Sequence, residues 1–368
     1  MVVPLAARCV AAALGAVMVM GAWSSVIGTL IVPRPVGSLL TRSVDKVVLT
    51  LYQQVVWHLR DIRLRDRVLA TQAAAILLTQ LLVWLLTILV GVALLLWPFA
   101  LGGIAFAFRD AASSLFPLGY AEPDGSGPVV LTFLGAGSAL VIIALQIGYL
   151  PTLYGAFNRR ETEVALLNGR AGVPSWGPEL LARTHYALGS GTSTVNTLPG
   201  LYIQWERWAA DVAESHTTYL PLARFRSPRP KSSWVLALLA VMDSAALYLA
   251  LAPDSAPDVE ARLCLRGGFD CLTRVAQALG CDVPARADPA GGISLSYEEF
   301  LDAVQRIREV GFDIEREPDS AWPHFVGWRV NYERAAYAVA YSIDAPPALW
   351  SGPRRYKLKQ IAPDRPPA

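Results

Sequence analysis

Charged residues are scarce in this chain: Asp, Glu, Lys and Arg together make up 17% of its 368 residues, against about a quarter in average usage. The 32 basic and 30 acidic side chains nearly cancel, to a net charge of +2. No global field therefore argues for a nucleic-acid partner. Cysteine is scarce too. Of the four, Cys9 lies in the first apolar run, and Cys264, Cys271 and Cys281 are confined to the second half. Three thiols at these separations fit no zinc pattern, and Cys264 and Cys271 fall on one helical face, which reads as reduced core residues. The sequence also lacks a nucleotide-binding glycine loop, a Ser/His/Asp arrangement and a calcium loop. It thus predicts neither an enzyme nor a metal or cofactor site.

What the chain has in excess is apolar residues, 54% of the total, concentrated in the first 157 residues and in Trp234 to Ala252. A helix needs about 20 apolar residues to cross a bilayer core. Cys9 to Val32, Leu77 to Trp97 and Pro128 to Leu153 each meet that length without a charge. The first could be a cleaved signal peptide, but its run is longer than the usual h-region of about 7 to 15 residues and no small-residue cleavage site ends it. It reads as a retained anchor. In Leu77 to Trp97, ten Leu, three Val and one Ile at about −0.4 kcal/mol each give about −6 kcal/mol towards insertion.

Between the second and third runs only Pro98 to Gly127 is available, too short to cross again. Ala105 to Phe116 allows three helical turns, so a re-entrant helix and loop is expected. Loop backbone at membrane depth needs protein or a water-filled cavity to satisfy it, which implies a lumen. The carboxy-terminal end of the short helix, negative by its dipole, would face the turn and favour a cation.

The turn itself, Ser113 to Pro123, reads SSLFPLGYAEP. At Leu118, Gly119 and Tyr120 it resembles the selectivity filter of potassium channels, whose pattern is Thr, a β-branched residue, Gly, Tyr, Gly, Asp. Gly119 and Tyr120 fall on the central Gly and Tyr, and Glu122 stands at the Asp. Pro117 replaces the Thr, removing a hydroxyl and a backbone donor, and Ala121 replaces the second Gly. The resemblance is to the bacterial potassium-channel-like family with a two-helix pore unit, in the branch where a helical cytoplasmic region carries WERWAADVAESHTTY and Phe225 to Pro228. It implies passive conduction of a monovalent cation, K+ by likeness. Pro117, Leu118, Gly119, Tyr120 and Ala121 would line the filter, Glu122 would add charge at the outer mouth, and four copies would surround one axis, since a filter needs rings of carbonyls. Pro117 and Ala121 motivate a second reading, a non-conducting membrane-anchored sensor or interaction protein with a degenerate filter.

The expected fold is an all-α membrane protein with three transmembrane helices, a re-entrant pore helix and loop between the second and third, and a cytoplasmic helical domain. Residues 1–36 hold the first span and 37–68 an amphipathic interfacial segment. In that segment Arg60, Arg63 and Arg67 share one side and are candidates for anionic lipid, a salt-bridged solvated helix being the alternative. Residues 69–157 form the pore module. Basic residues mark the cytoplasmic side and bracket this module, which turns the Glu122 side outward and puts the second half inside, as for a multi-pass protein of the inner (plasma) membrane. Gly148 and Pro151 are candidate gate hinges near the inner end of the last span. Residues 158–344 carry long helical patterns. Glu206, Asp211, Glu214 and His216 do not converge on one face, whereas Trp205, Trp208, Ala209 and Val212 form a core stripe. Trp234 to Ala252 would insert with near-neutral energy because of Asp243, and reads as a buried helix rather than a fourth span. Ser296 and Glu299 form a capping box opening a helix to Gly311, and Trp328 to Ile343 gives another. The Pro-rich basic tail, 345–368, is expected to be disordered.

Overall fold

The structure is a computed structural model in which residues 4–32, 38–100, 102–116, 119–121, 125–184, 194–286, 288, 291–356 and 359–365 are described. Among them every regular element is helical, and the only β interaction is an isolated bridge between Ala348 and Ile361. The chain divides into two compact units, Met1–Tyr154 and Gly155–Ala368. Four helical stretches are long and apolar enough to cross a membrane: Ala6–Leu30, Ile62–Leu96, Ser126–Ala171 and Trp234–Leu251. The described fold is all-α, and its long apolar helices are compatible with a membrane protein.

The first unit holds α1 (Leu5–Leu30), α2 (Leu39–Trp57), α3 (Ile62–Ala70), α4 (Gln72–Leu96), α5 (Ile104–Leu115) and the start of α6 (Ser126–Ala171). Lipid supplies no hydrophobic force between helices, so contact depends on close packing and hydrogen bonds. Both are present. A Cβ on Gly91 of α4 would stand 2.7 Å from Val19 Cγ2 and 3.0 Å from the Gly15 carbonyl of α1; the pair of glycines lets the two backbones approach. Trp84 Nε1 donates to Ser25 Oγ at 2.9 Å, and Trp23 Nε1 donates to Ser138 Oγ of α6 at 3.1 Å.

The amphipathic segment is two helices, broken at residues 58–61, where Asp61 caps α3 by accepting from the Arg63 amide. Helix α2 runs beside the first part of α4. Tyr52 shares a hydrogen bond with Thr71, Val48 packs on Ile76, and Gln80 donates to Asp45 at 2.8 Å. The buried Val44, Val48 and Val56 explain this seating: they give α2 one continuous apolar stripe to cover.

The second unit adds α7 (Gly177–Arg183), α8 (Leu198–Thr218), α9 (Pro221–Arg224), α10 (Trp234–Leu251), α11 (Asp258–Ala278), α12 (Tyr297–Glu309), α13 (Pro318–Arg329) and α14 (Glu333–Ser342). Helix α10 is its axle. All eighteen of its residues are buried, with α7, α8, α11, α13 and α14 packed around it. A helix apolar on all sides must be covered on all sides, and here protein provides the cover. Cys264 and Cys271 are free thiols buried in the adjoining core. The capping box of Ser296 and Glu299 is formed, each side chain meeting the other residue's amide.

Two expectations change. The helix expected over Trp328 to Ile343 is two helices, α13 ending at Arg329 and α14 starting at Glu333. The described part of the Pro-rich tail is packed, not disordered. Trp350 and Ser351 are buried, and Arg354 donates to the carbonyls of Ala345, Pro346, Ser351, Gly352 and Pro353. An arginine's five donors can satisfy the backbone of a proline-rich turn that has few amides of its own.

Candidate functional site

Of the six candidate filter residues, Pro117, Leu118 and Glu122 lie outside the described residues. Gly119, Tyr120 and Ala121 form a turn that folds back onto α5. Ser113 Oγ accepts from the Ala121 amide at 2.9 Å and lies 3.3 Å from the Ala121 carbonyl, to which it can also donate. The Tyr120 hydroxyl donates to the Arg109 carbonyl at 3.4 Å. Gly119 has φ +58, the left-handed region that glycine enters without cost. Ala121 is outside that region, so its Cβ meets no backbone strain. Gly119 and Tyr120 are exposed.

Helix α5 packs along α4, with Ala107, Ala111 and Leu115 in the core of the unit. Its last residue, Leu115, reaches Gly135 of α6 and stands beside Val92 of α4: a Cβ on Gly135 would lie 3.2 Å from both side chains. Val92 is five residues inside Trp97, and Gly135 seven inside Pro128. At 1.5 Å per residue these are about 8 and 10 Å from the ends of the two apolar runs. The short helix therefore turns back along α4, and its end faces α6.

Helix α6 is unbroken from Ser126 to Ala171 with Pro151 inside it. Pro151 removes one rung of the helical ladder, and Gly148 has open space where a Cβ would be. Both candidate hinges are exposed. Arg60, Arg63 and Arg67 are exposed as well, whereas Arg65 between them is buried. Arg60 precedes α3, so only Arg63 and Arg67 share a helical turn.

In the second unit three buried charge clusters occur that residue types alone did not reveal. Around Arg160, Nη1 donates to the Leu222 carbonyl at 2.7 Å and meets His216 Nε2 at 2.9 Å, Nη2 donates to the Phe225 carbonyl at 2.7 Å, and Nε donates to Glu161. The Arg160 carbonyl accepts from Trp208 Nε1. Trp208, His216 and Phe225 thus converge on one residue of α6, Trp208 on its carbonyl and the other two on its guanidinium. Burial and the neighbouring Arg160 push His216 well below its ordinary 6.5.

Arg329, fully buried, donates to Asp243 and Glu333, to the Tyr337 hydroxyl at 2.9 Å and to the Trp350 carbonyl at 2.7 Å, while Tyr332 donates to Asp243 at 2.7 Å. The two carboxylates hold its guanidinium well above the ordinary range. Asp243 is therefore compensated inside α10, which is how an otherwise apolar helix carries an acid. Glu179 accepts from Arg183 at 2.9 Å and from Arg306 at 2.9 Å, and these arginines hold it below the usual carboxylate range against its burial. Glu206, Asp211, Glu214 and His216 do not meet: Asp211 pairs with Arg159 and Glu214 with Arg274. Among the described residues no group of His, Cys, Asp and Glu could hold a metal.

Compared with known families, curated proteins and solved structures, the chain matches none of them.

Proposed function

We propose that the chain is one subunit of a passive cation channel, with K+ the ion by resemblance, and that four copies build the pore. The observation that carries this reading is the tethered turn after α5. A short helix doubles back along a membrane-length helix, ends on Leu115, which with Val92 faces Gly135 of a second such helix, and is followed by a Gly-Tyr turn pinned by Ser113. Such a turn leaves backbone carbonyls near the negative end of a helix dipole, the chemistry that replaces an ion's water shell. Glu122 would add charge at the mouth, and Gly148 and Pro151 would let the inner part of α6 bend. Arg63 and Arg67 would meet anionic headgroups from α3, with Arg60 just before it. The second unit, into which α6 runs without a break, would lie in the cytoplasm and act on that helix.

The test is the reversal potential of purified protein in a planar bilayer with potassium on one side and sodium on the other. A shift towards the potassium equilibrium value supports a selective pore, and a current reversing near zero supports a cation path without selectivity. No current at any voltage, from protein shown to be inserted, overturns conduction.

A further inference from the structure

The segment 359–365 does not hang free. Its Ile361 amide donates to the Pro347 carbonyl at 2.7 Å, its Asp364 amide donates to the Val173 carbonyl at 3.0 Å, and Arg183 Nη2 donates to the Asp364 carbonyl at 2.6 Å. Side chains add two charge contacts, Lys231 to Asp364 at 3.7 Å and Arg365 to Glu179 at 4.0 Å. Pro363 is buried over Gly172, where a Cβ would stand 2.6 Å from the proline Cβ. Gly172 also has φ +77, so two independent constraints hold that position to glycine.

We propose that Gly172, Val173, Glu179, Arg183 and Lys231 form a peptide-docking groove for a Pro-Asp-Arg sequence, occupied by this chain's own residues 363–365, and that the segment is a releasable strap. Recognition follows from chemistry. The Val173 carbonyl and Arg183 read backbone, Gly172 makes room for the proline ring, Lys231 takes the aspartate and the Glu179 cluster takes the arginine. Release is local, because the strap has few hydrogen bonds and its Asp364 and Arg365 are exposed, the marks of low local stability. The groove lies where α6 ends at Ala171, so release removes the strap's tie between the Val173 carbonyl and Arg183 of α7, while Arg183 keeps its own bond to the Gly169 carbonyl of α6. None of this depends on conduction.

Native-state hydrogen exchange on the full-length protein tests it. The Asp364 amide is expected to be protected, yet to exchange at least tenfold faster than the α10 amides and with little dependence on denaturant. Lys231→Ala with Arg365→Ala, both at exposed or half-exposed side chains, should raise its rate further. In a chain shortened after Tyr356, residues 169–183 should exchange faster while α11 is unchanged, and a peptide of residues 359–368 at millimolar concentration should restore protection. A peptide with Asp364→Lys should not. An unprotected Asp364 amide, or one that opens only with the α10 core, overturns the proposal. So does protection that depends on protein concentration, since the groove would then be filled by a second copy.

Discussion

Arg160 Nη1 and His216 Nε2 stand 2.9 Å apart in the buried core of the second unit. Arginine can only donate, so Nε2 must accept and the imidazole proton sits on Nδ1, 3.0 Å from Ser215 Oγ. The histidine is therefore neutral when folded, and protonating it would set two donors and two cations face to face.

This fixes the sign of an acid effect. The folded pKa lies well below the ordinary 6.5, so the unfolded chain takes up a proton that the folded chain refuses. The associated stability is present above pH 6.5 and is lost as pH falls below it, by about 1.4 kcal/mol per pH unit for one proton. Urea unfolding at a series of pH values should show that slope, and His216→Gln, an acceptor that does not titrate, should remove it.

Ser113→Ala removes the tether of the Gly-Tyr turn. One hydrogen bond contributes about 1 kcal/mol net, so the Ala121 amide should exchange several-fold faster while α4 keeps its protection. If the pore reading holds, the same variant should lower flux. Unchanged exchange at Ala121 would remove Ser113 from the turn's support.

Asp243→Ala strands the Arg329 cation with one carboxylate fewer. Breaking a buried pair costs about 3 to 5 kcal/mol, and denaturant unfolding in detergent should show a loss of that size. Asp243→Leu combined with Arg329→Met and Glu333→Gln should lose less than the single change, because no charge of the buried cluster is left over.

Gly91→Leu should separate α1 from α4. Its side chain would strike Val19 and the Gly15 carbonyl, an overpacking worth about 1 to 3 kcal/mol, to be read as a lower unfolding temperature in detergent. Leucine at the exposed Gly137, with nothing within 4 Å of its Cβ position, should leave that temperature unchanged.

Local chemistry made several elements legible in advance. Ser296 and Glu299 announced the start of α12 because a capping box is closed within four residues. The apolar runs announced α1, α4 and the first part of α6, since span length follows from bilayer thickness. The near-neutral insertion energy of Trp234 to Ala252 pointed towards a buried helix, and α10 has that burial. By contrast, the long-range partners His216 of Arg160, Asp243 of Arg329 and Arg306 of Glu179 lie 56, 86 and 127 residues away, beyond any pattern of spacing. The packed tail was hidden for a related reason: proline-rich, basic composition resembles that of disordered chains until an arginine such as Arg354 finds its carbonyls.

The sequence by itself determined the helical class, the membrane-length segments and the presence of a short helix and Gly-Tyr turn between two of them, because each depends on contacts a few residues apart or on a length set by the bilayer. The tertiary structure decided that α2 lies beside the first part of α4, that Asp243 is a paired core acid, that Trp208, His216 and Phe225 meet at Arg160, and that residues 363–365 dock beside Glu179. Those outcomes depend on which distant groups can satisfy a buried charge or cover an apolar stripe, and only the folded chain brings them within reach.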